Sequence, residues 1–283
     1  MKDFTGKVAV ITGAGRGIGR GIALHCAQQG MKIVLAGIGM ESLTKTAADL
    51  EAMNAETLII QTDVSQLEDV ENLANTCYTK FGTVDLLVNN AGVAVPASVL
   101  DSTLEDWNWV MNVNFYGVLY SVRVFVPRLI EQETTSHVVN VSSLAGIEPG
   151  GSSYGVSKHA VVVLTESLYF ELADSAPQVK FSVYCPGWVD TEFDRIDRSR
   201  PDRFKENATT VSEEQRAGWR EALSKGHSIK ESAQFLFDGL AKDKLYIGPQ
   251  AFQTQLPEFA DVIRNRTENI LSEVNPEKPE EPF

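Results

Sequence analysis

Short apolar runs rich in β-branched residues recur along this chain, each followed by a longer stretch whose apolar positions fall three and four apart. The runs at 8–11, 33–35, 58–60, 86–88, 138–141 and 181–184 predict strands. They are apolar but for Asn140 and Ser182, as expected of strands buried on both faces of a parallel sheet. Alternation of such strands with helices predicts right-handed crossovers and an α/β fold: a doubly wound parallel sheet of about seven strands in three layers, α/β/α.

The rhythm fails between residues 190 and 230. Around Arg195-Ile196-Asp197-Arg198-Ser199-Arg200 the chain is densely charged and no strand pattern survives. Such a stretch is an insertion, serving either as a substrate loop and lid or as a solvated helical excursion. Residues 1–255 are therefore expected to form one domain containing this insertion. Residues 256–283 form a C-terminal extension, and its acidic, proline-rich end from Asn275 is expected to be mobile.

With 283 residues, 43% of them hydrophobic, the chain can bury one sizeable core. Its net charge of -13 repels phosphate backbones and anionic bilayers, so neither nucleic acid nor a membrane is an expected partner. Cys26, Cys77 and Cys185 are far apart, and the four histidines show no ligand spacing, so no disulfide framework or metal is expected. The first apolar run is too short for a secretion signal, which predicts a cytoplasmic protein.

Directly after the first strand comes Thr12-Gly13-Ala14-Gly15-Arg16-Gly17-Ile18-Gly19, then a helical run. A strand, a glycine turn and a helix N-terminus present backbone N–H groups to a pyrophosphate, which points to a Rossmann-type dinucleotide site. An NAD site places an acid about 20 residues further on, at the end of the second strand. That strand instead ends Leu35-Ala36-Gly37-Ile38-Gly39-Met40, and Glu41 falls in the next helix. Arg16 can fork onto a ribose 2′-phosphate, so NADP(H) is favoured over NAD(H). Asp63, before Val64, can accept from an adenine amino group or cap the following helix. Asn90-Ala91-Gly92 forms a small-residue turn where ligands bind in open α/β sheets.

Tyr154 and Lys158 stand four apart at the start of a helical run and so share one face. The cation is expected to lower the phenol's pKa and make it a proton donor and acceptor near neutrality. Together, Thr12-Gly13-x-x-x-Gly17-x-Gly19, Asn89-Asn90-Ala91-Gly92, Asn140-Val141-Ser142-Ser143, Tyr154-x-x-x-Lys158 and Pro186-Gly187 resemble the short-chain dehydrogenases/reductases over roughly residues 5 to 192.

The resemblance implies an NAD(P)-dependent oxidoreductase acting on a ketone or secondary alcohol, with a catalytic tetrad at Asn114, Ser143, Tyr154 and Lys158. Asn114 is chosen over Asn112, and Ser143 over Ser142, by the family's spacing. Ser143 would orient the substrate oxygen and Tyr154 would exchange its proton. Lys158 would hold the nicotinamide ribose and tune the phenol, and Asn114 would hold a relay water. After the sixth strand, Pro186, Gly187, Val189 and Thr191 would close over the nicotinamide, while Trp188 either walls the substrate pocket or is a buried structural residue. The interval from Ser143 to Tyr154 is slightly shorter than in many relatives. The family also pairs the helices near 107–130 and 154–173 across a two-fold axis, implying a homodimer or homotetramer. A non-catalytic dinucleotide sensor or scaffold would keep the glycine loop but has no use for Ser143, Tyr154 and Lys158 together.

Overall fold

The computed structural model describes residues 3–148, 152–248 and 257–273. Seven strands form one parallel sheet in the order β3-β2-β1-β4-β5-β6-β7. They are β1 Val8–Thr12, β2 Lys32–Gly37, β3 Thr57–Gln61, β4 Leu86–Asn89, β5 Ser136–Val141, β6 Val179–Tyr184 and β7 Tyr246–Ile247. The first six contain the expected runs, and every residue of β1, β4 and β5 is buried. The two-residue β7 carries too short a pattern to read from sequence. It is fixed by its place beside β6, where Val183 and Cys185 donate to the carbonyls of Leu245 and Ile247, both at 2.7 Å.

Helices cover both faces, as expected of a sheet without a wet side. On one side α1 Gly17–Gln28, α2 Met40–Glu51 and α8 Ile229–Leu240 bury Ile22, Leu43, Leu50, Leu236 and Phe237. On the other, α3 Leu67–Phe81, α5 Gly117–Glu131 and α6 Ser153–Leu172 bury Leu73, Val122, Phe125, Leu129 and Val161. The strand order reverses between β1 and β4. A crevice opens there at the carboxyl ends of the strands, the usual ligand position in such sheets.

Ahead of α5 lies α4 Leu104–Met111, and the two are joined by a π-helical turn, Asn112–Tyr116. Such turns are rare and concentrate at functional sites. The charged excursion leaves and returns at a single bridge between Val189 and His227. Between these points it forms 3₁₀ turns at Phe193–Ser199 and Asp202–Phe204 and then α7 Glu213–Ser224. Within the C-terminal extension the chain forms α9 Pro257–Leu271. The acidic end from Asn275 and the domain boundary at 255 lie outside the described residues. So do residues 149–151 of the interval before Tyr154.

Cys26, Cys77 and Cys185 are free and buried. Among the described residues there is no cluster of metal-ligating side chains, and no helix is long and apolar enough to cross a membrane.

Candidate active site

The glycine loop links the end of β1 to the start of α1. Gly13 has a φ of +64°, and a Cβ there would stand 2.9 Å from the Asn90 side chain. At Gly19 a Cβ would overlap both the Gly13 carbonyl and the Asn90 amide. The backbone can therefore pack this tightly only with glycine. Gly15 lies against Ser42, and Gly17 faces Thr191, the two loops meeting across the site.

No side chain caps α1 and its first turn holds no acid, whereas α4, α7 and α8 each carry a full capping box. The N–H groups of α1 are left for an outside acceptor, which fits the loop to a dinucleotide's pyrophosphate. Ile18 turns its side chain into the core, so only its backbone faces that position.

Asn90 spends its side chain on scaffolding. Its amide donates to the Thr12 and Gly13 carbonyls at 2.9 and 3.3 Å, while the Thr12 hydroxyl accepts from the N–H groups of Asn90 and Ala91. Gly92 is the close-approach point to the catalytic side: a Cβ there would lie 3.3 Å from Lys158 Nζ and 3.6 Å from Asn114 Oδ1.

At the other end, Asp63 does not cap α3, whose N-cap is Gln66. Its carboxylate instead accepts from the Ser65 N–H and hydroxyl and from Arg203 of the charged excursion. Val64 is buried beside Val93, Trp109 and Val113. Arg16 is exposed and enters no ion pair among the described residues.

Asn114 sits in the π-helical turn, fully buried. Its amide donates to the Val93 carbonyl at 2.9 Å and to Ser157 Oγ at 3.0 Å, and its Oδ1 accepts from the Val93 N–H at 2.8 Å. The side chain thus ties the loop after β4 to α6. Ser157 and Val93 were not foreseen, because neither residue type marks a site by itself.

Ser142 is buried and donates to the Lys158 carbonyl at 2.8 Å, a structural duty that leaves Ser143 as the hydroxyl beside Tyr154. Lys158 Nζ donates to the Val141 carbonyl at 2.9 Å and lies 5.6 Å from the Tyr154 ring centroid. After β6, Pro186 accepts from the Leu144 N–H at 3.0 Å and Gly187 packs against Leu144. Trp188 and Asp190 both bond to His227, which turns the Val189 peptide toward the opposite side. Trp188 is 55% exposed and is therefore no core residue. Phe193 lies 6.0 Å from the Tyr154 ring and stacks on Trp219 at 6.1 Å, forming an aromatic wall. Ala94, Pro96 and Val211 help line the adjoining cleft.

Residues 7–202 match the short chain dehydrogenase family. The chain belongs to that family. It is a short-chain dehydrogenase/reductase, an NAD(P)-dependent oxidoreductase. A CLA biosynthesis dehydrogenase/reductase of Lactiplantibacillus plantarum is 32% identical, covering 98% of this chain and 97% of its own. The solved structure of a short chain dehydrogenase/reductase from Burkholderia phymatum, in complex with NAD, is 38% identical, with a TM-score of 0.90 over 99% of both chains. An alcohol dehydrogenase from Thermococcus sibiricus, complexed with 5-hydroxy-NADP, is 26% identical, with a TM-score of 0.67 over 86% of this chain and 95% of its own.

In this dehydrogenase the titration of the pair departs from the sequence expectation. Burial pushes the Tyr154 phenol up to about 12, and the Ser143 hydrogen bond only partly opposes it. Burial likewise pushes the Lys158 ammonium down to about 8. Desolvation acts on both groups and disfavours each one's charged form, an effect that counting charges along a sequence misses.

Lys158 keeps its proton to about 10.5 when unfolded and to about 8 when folded. Below pH 8 the fold carries the full cost of the buried charge. Between those values the unfolded chain binds more protons, so this contribution to stability rises with pH. Lys158→Met should accordingly be more stable than the parent at pH 7, by about 1–3 kcal/mol. The gap should close between about pH 8 and 10.5. Urea titrations at several pH values check this, and a gap independent of pH would refute it.

Proposed function

We propose that this dehydrogenase reduces a medium-sized hydrophobic ketone, or oxidises the matching secondary alcohol, with Asn114, Ser143, Tyr154 and Lys158 as its working residues. The observation that carries the proposal is Lys158. It is buried, has no carboxylate partner among the described residues, and is held by one backbone carbonyl. A buried ammonium without a counter-ion is costly to a fold and belongs to chemistry or ligand binding.

The dinucleotide supplies or accepts the hydride. Ser143 donates to the substrate oxygen as charge develops on it, which an apolar wall strengthens. Tyr154 gives that oxygen its proton. With the phenol raised to about 12 it keeps its proton at neutral pH, which suits reduction. Lys158, with one N–H given to the Val141 carbonyl, would offer the others to ribose hydroxyls of a bound dinucleotide. Asn114 holds the loop after β4 against α6 and so fixes the place of a relay water. Residues 190–230 act as the lid, with Phe193 and Trp219 walling the substrate.

NADP(H) is the favoured cofactor, because Arg16 beside the glycine loop enters no ion pair among the described residues and no acid stands at the end of β2. Gly13, Gly15, Gly17, Ile18, Gly19, Asp63, Val64, Asn90, Ala91, Gly92, Pro186, Gly187, Val189 and Thr191 complete the nucleotide site. A panel of ketones assayed with each nucleotide tests both statements. Arg16→Gln should raise KM for NADPH about tenfold and leave KM for NADH unchanged. Equal effects on the two, or a parent enzyme that prefers NADH, would overturn the cofactor assignment. Outward on α6, Val163 and Phe170 are 60% and 70% exposed, seven residues apart on one stripe. That stripe supports a homodimer or homotetramer, and a monomeric mass by light scattering would exclude both.

A further inference from the structure

We infer that Arg203 makes the adenine end of the nucleotide site part of the lid's docking surface, so that adenine held at Asp63 and lid closure reinforce each other. The inference rests on the nucleotide-site reading above.

Arg203 Nη2 donates to Asp63 Oδ2 at 2.5 Å and to Ser65 Oγ at 2.6 Å, across 140 residues of sequence. Asp63 Oδ1 accepts from the Ser65 N–H at 3.1 Å and from the Ser65 hydroxyl at 2.6 Å. Both acceptor directions of Oδ1 are thereby used and one direction of Oδ2 remains. Three donors fix the carboxylate, and the remaining direction is available to an exocyclic amino group. A ligand meeting an acceptor already oriented loses less on ordering it.

The lid does not need Arg203 to dock. Arg200 is buried against Asp106 at 2.6 Å and stacks over Trp109 at 4.7 Å, and Phe204 packs near Val64. Arg203 is 41% exposed, and an ion pair of that exposure contributes little to stability. Its position gives it another use. The segment that carries it continues through Asp197, paired to Arg216 of α7, to Phe193 beside Tyr154. One continuous stretch of chain thus touches both ends of the nucleotide site, and coupling between those ends is reciprocal.

AMP, which has the adenine but no nicotinamide, tests this on the full chain by calorimetry and hydrogen exchange. AMP should slow exchange across residues 193–209 of the parent. Arg203→Met should bind AMP about three- to fivefold more weakly, as befits a partly exposed charge pair, and should show no such slowing. Its melting temperature should match the parent's. AMP binding that leaves exchange in the lid unchanged, or slows it equally in both proteins, overturns the inference alone. If neither AMP nor either dinucleotide binds the parent, the nucleotide-site reading falls and the inference falls with it.

Discussion

Tyr154→Phe should lower kcat by about two to four orders of magnitude while leaving dinucleotide affinity within about twofold of the parent. The substitution removes one oxygen and keeps the ring that packs 6.0 Å from Phe193, so the aromatic wall survives. What is lost is the proton that the phenol holds across the neutral range. Ser143 keeps its local bond from the Ala145 N–H at 3.2 Å, and Lys158 keeps its bond to the Val141 carbonyl. Stopped-flow reduction with calorimetry in parallel separates the outcomes. Turnover close to the parent's would sink the proton-transfer role, and a parallel collapse of nucleotide binding would make Tyr154 a structural residue.

The second large effect is on stability. Asp106→Ala should cost about 3–5 kcal/mol, with a fall in Tm on the order of 10 °C. Asp106 is fully buried. Burial alone would raise its carboxyl, but the Thr209 hydroxyl and the Arg200 guanidinium hold it below the usual range. It also closes the capping box of α4 by accepting from the Thr103 N–H at 3.0 Å. Removing it leaves Arg200 charged and buried, and one mutation loosens both the lid and the helix beneath. Scanning calorimetry reads the loss, and a Tm within 2 °C of the parent's would show that the lid floats free of α4.

The layout of the sheet was legible because parallel strands covered on both faces have a nearly continuous apolar pattern, and six of seven strands fell where those runs lie. β7 escaped because two residues in register beside β6 leave no pattern. The glycine loop was legible because its glycines follow a strand at the spacing that close backbone packing requires. The Tyr154–Lys158 pairing was legible from helix periodicity. Their titration was not, since desolvation depends on how the loops close over them.

A kink within the helix at Asn114 was the alternative to its catalytic reading. The π-helical form of that turn left no mark, since weak helix formers such as those of Asn112–Tyr116 do not specify how a helix is interrupted. Nor did sequence separation reveal the bond from Arg203 to Asp63, because the excursion's charged run has no periodicity to give its path. Asp63 was read as an adenine acceptor or a helix cap. The observed carboxylate caps nothing, and its contact with the lid is a third arrangement.

The middle of the sheet is assembled from distant parts of the chain. β1 can pair with β2 once residue 37 exists, but its other edge waits for β4, with Ala9 opposite Leu86. During synthesis, that edge of Val8–Thr12 stays open while some fifty further residues emerge. An open apolar edge is a template for pairing with other chains. Yield in the cell should therefore follow how quickly Leu86–Asn89 reaches β1 more closely than it follows the stability of the finished molecule.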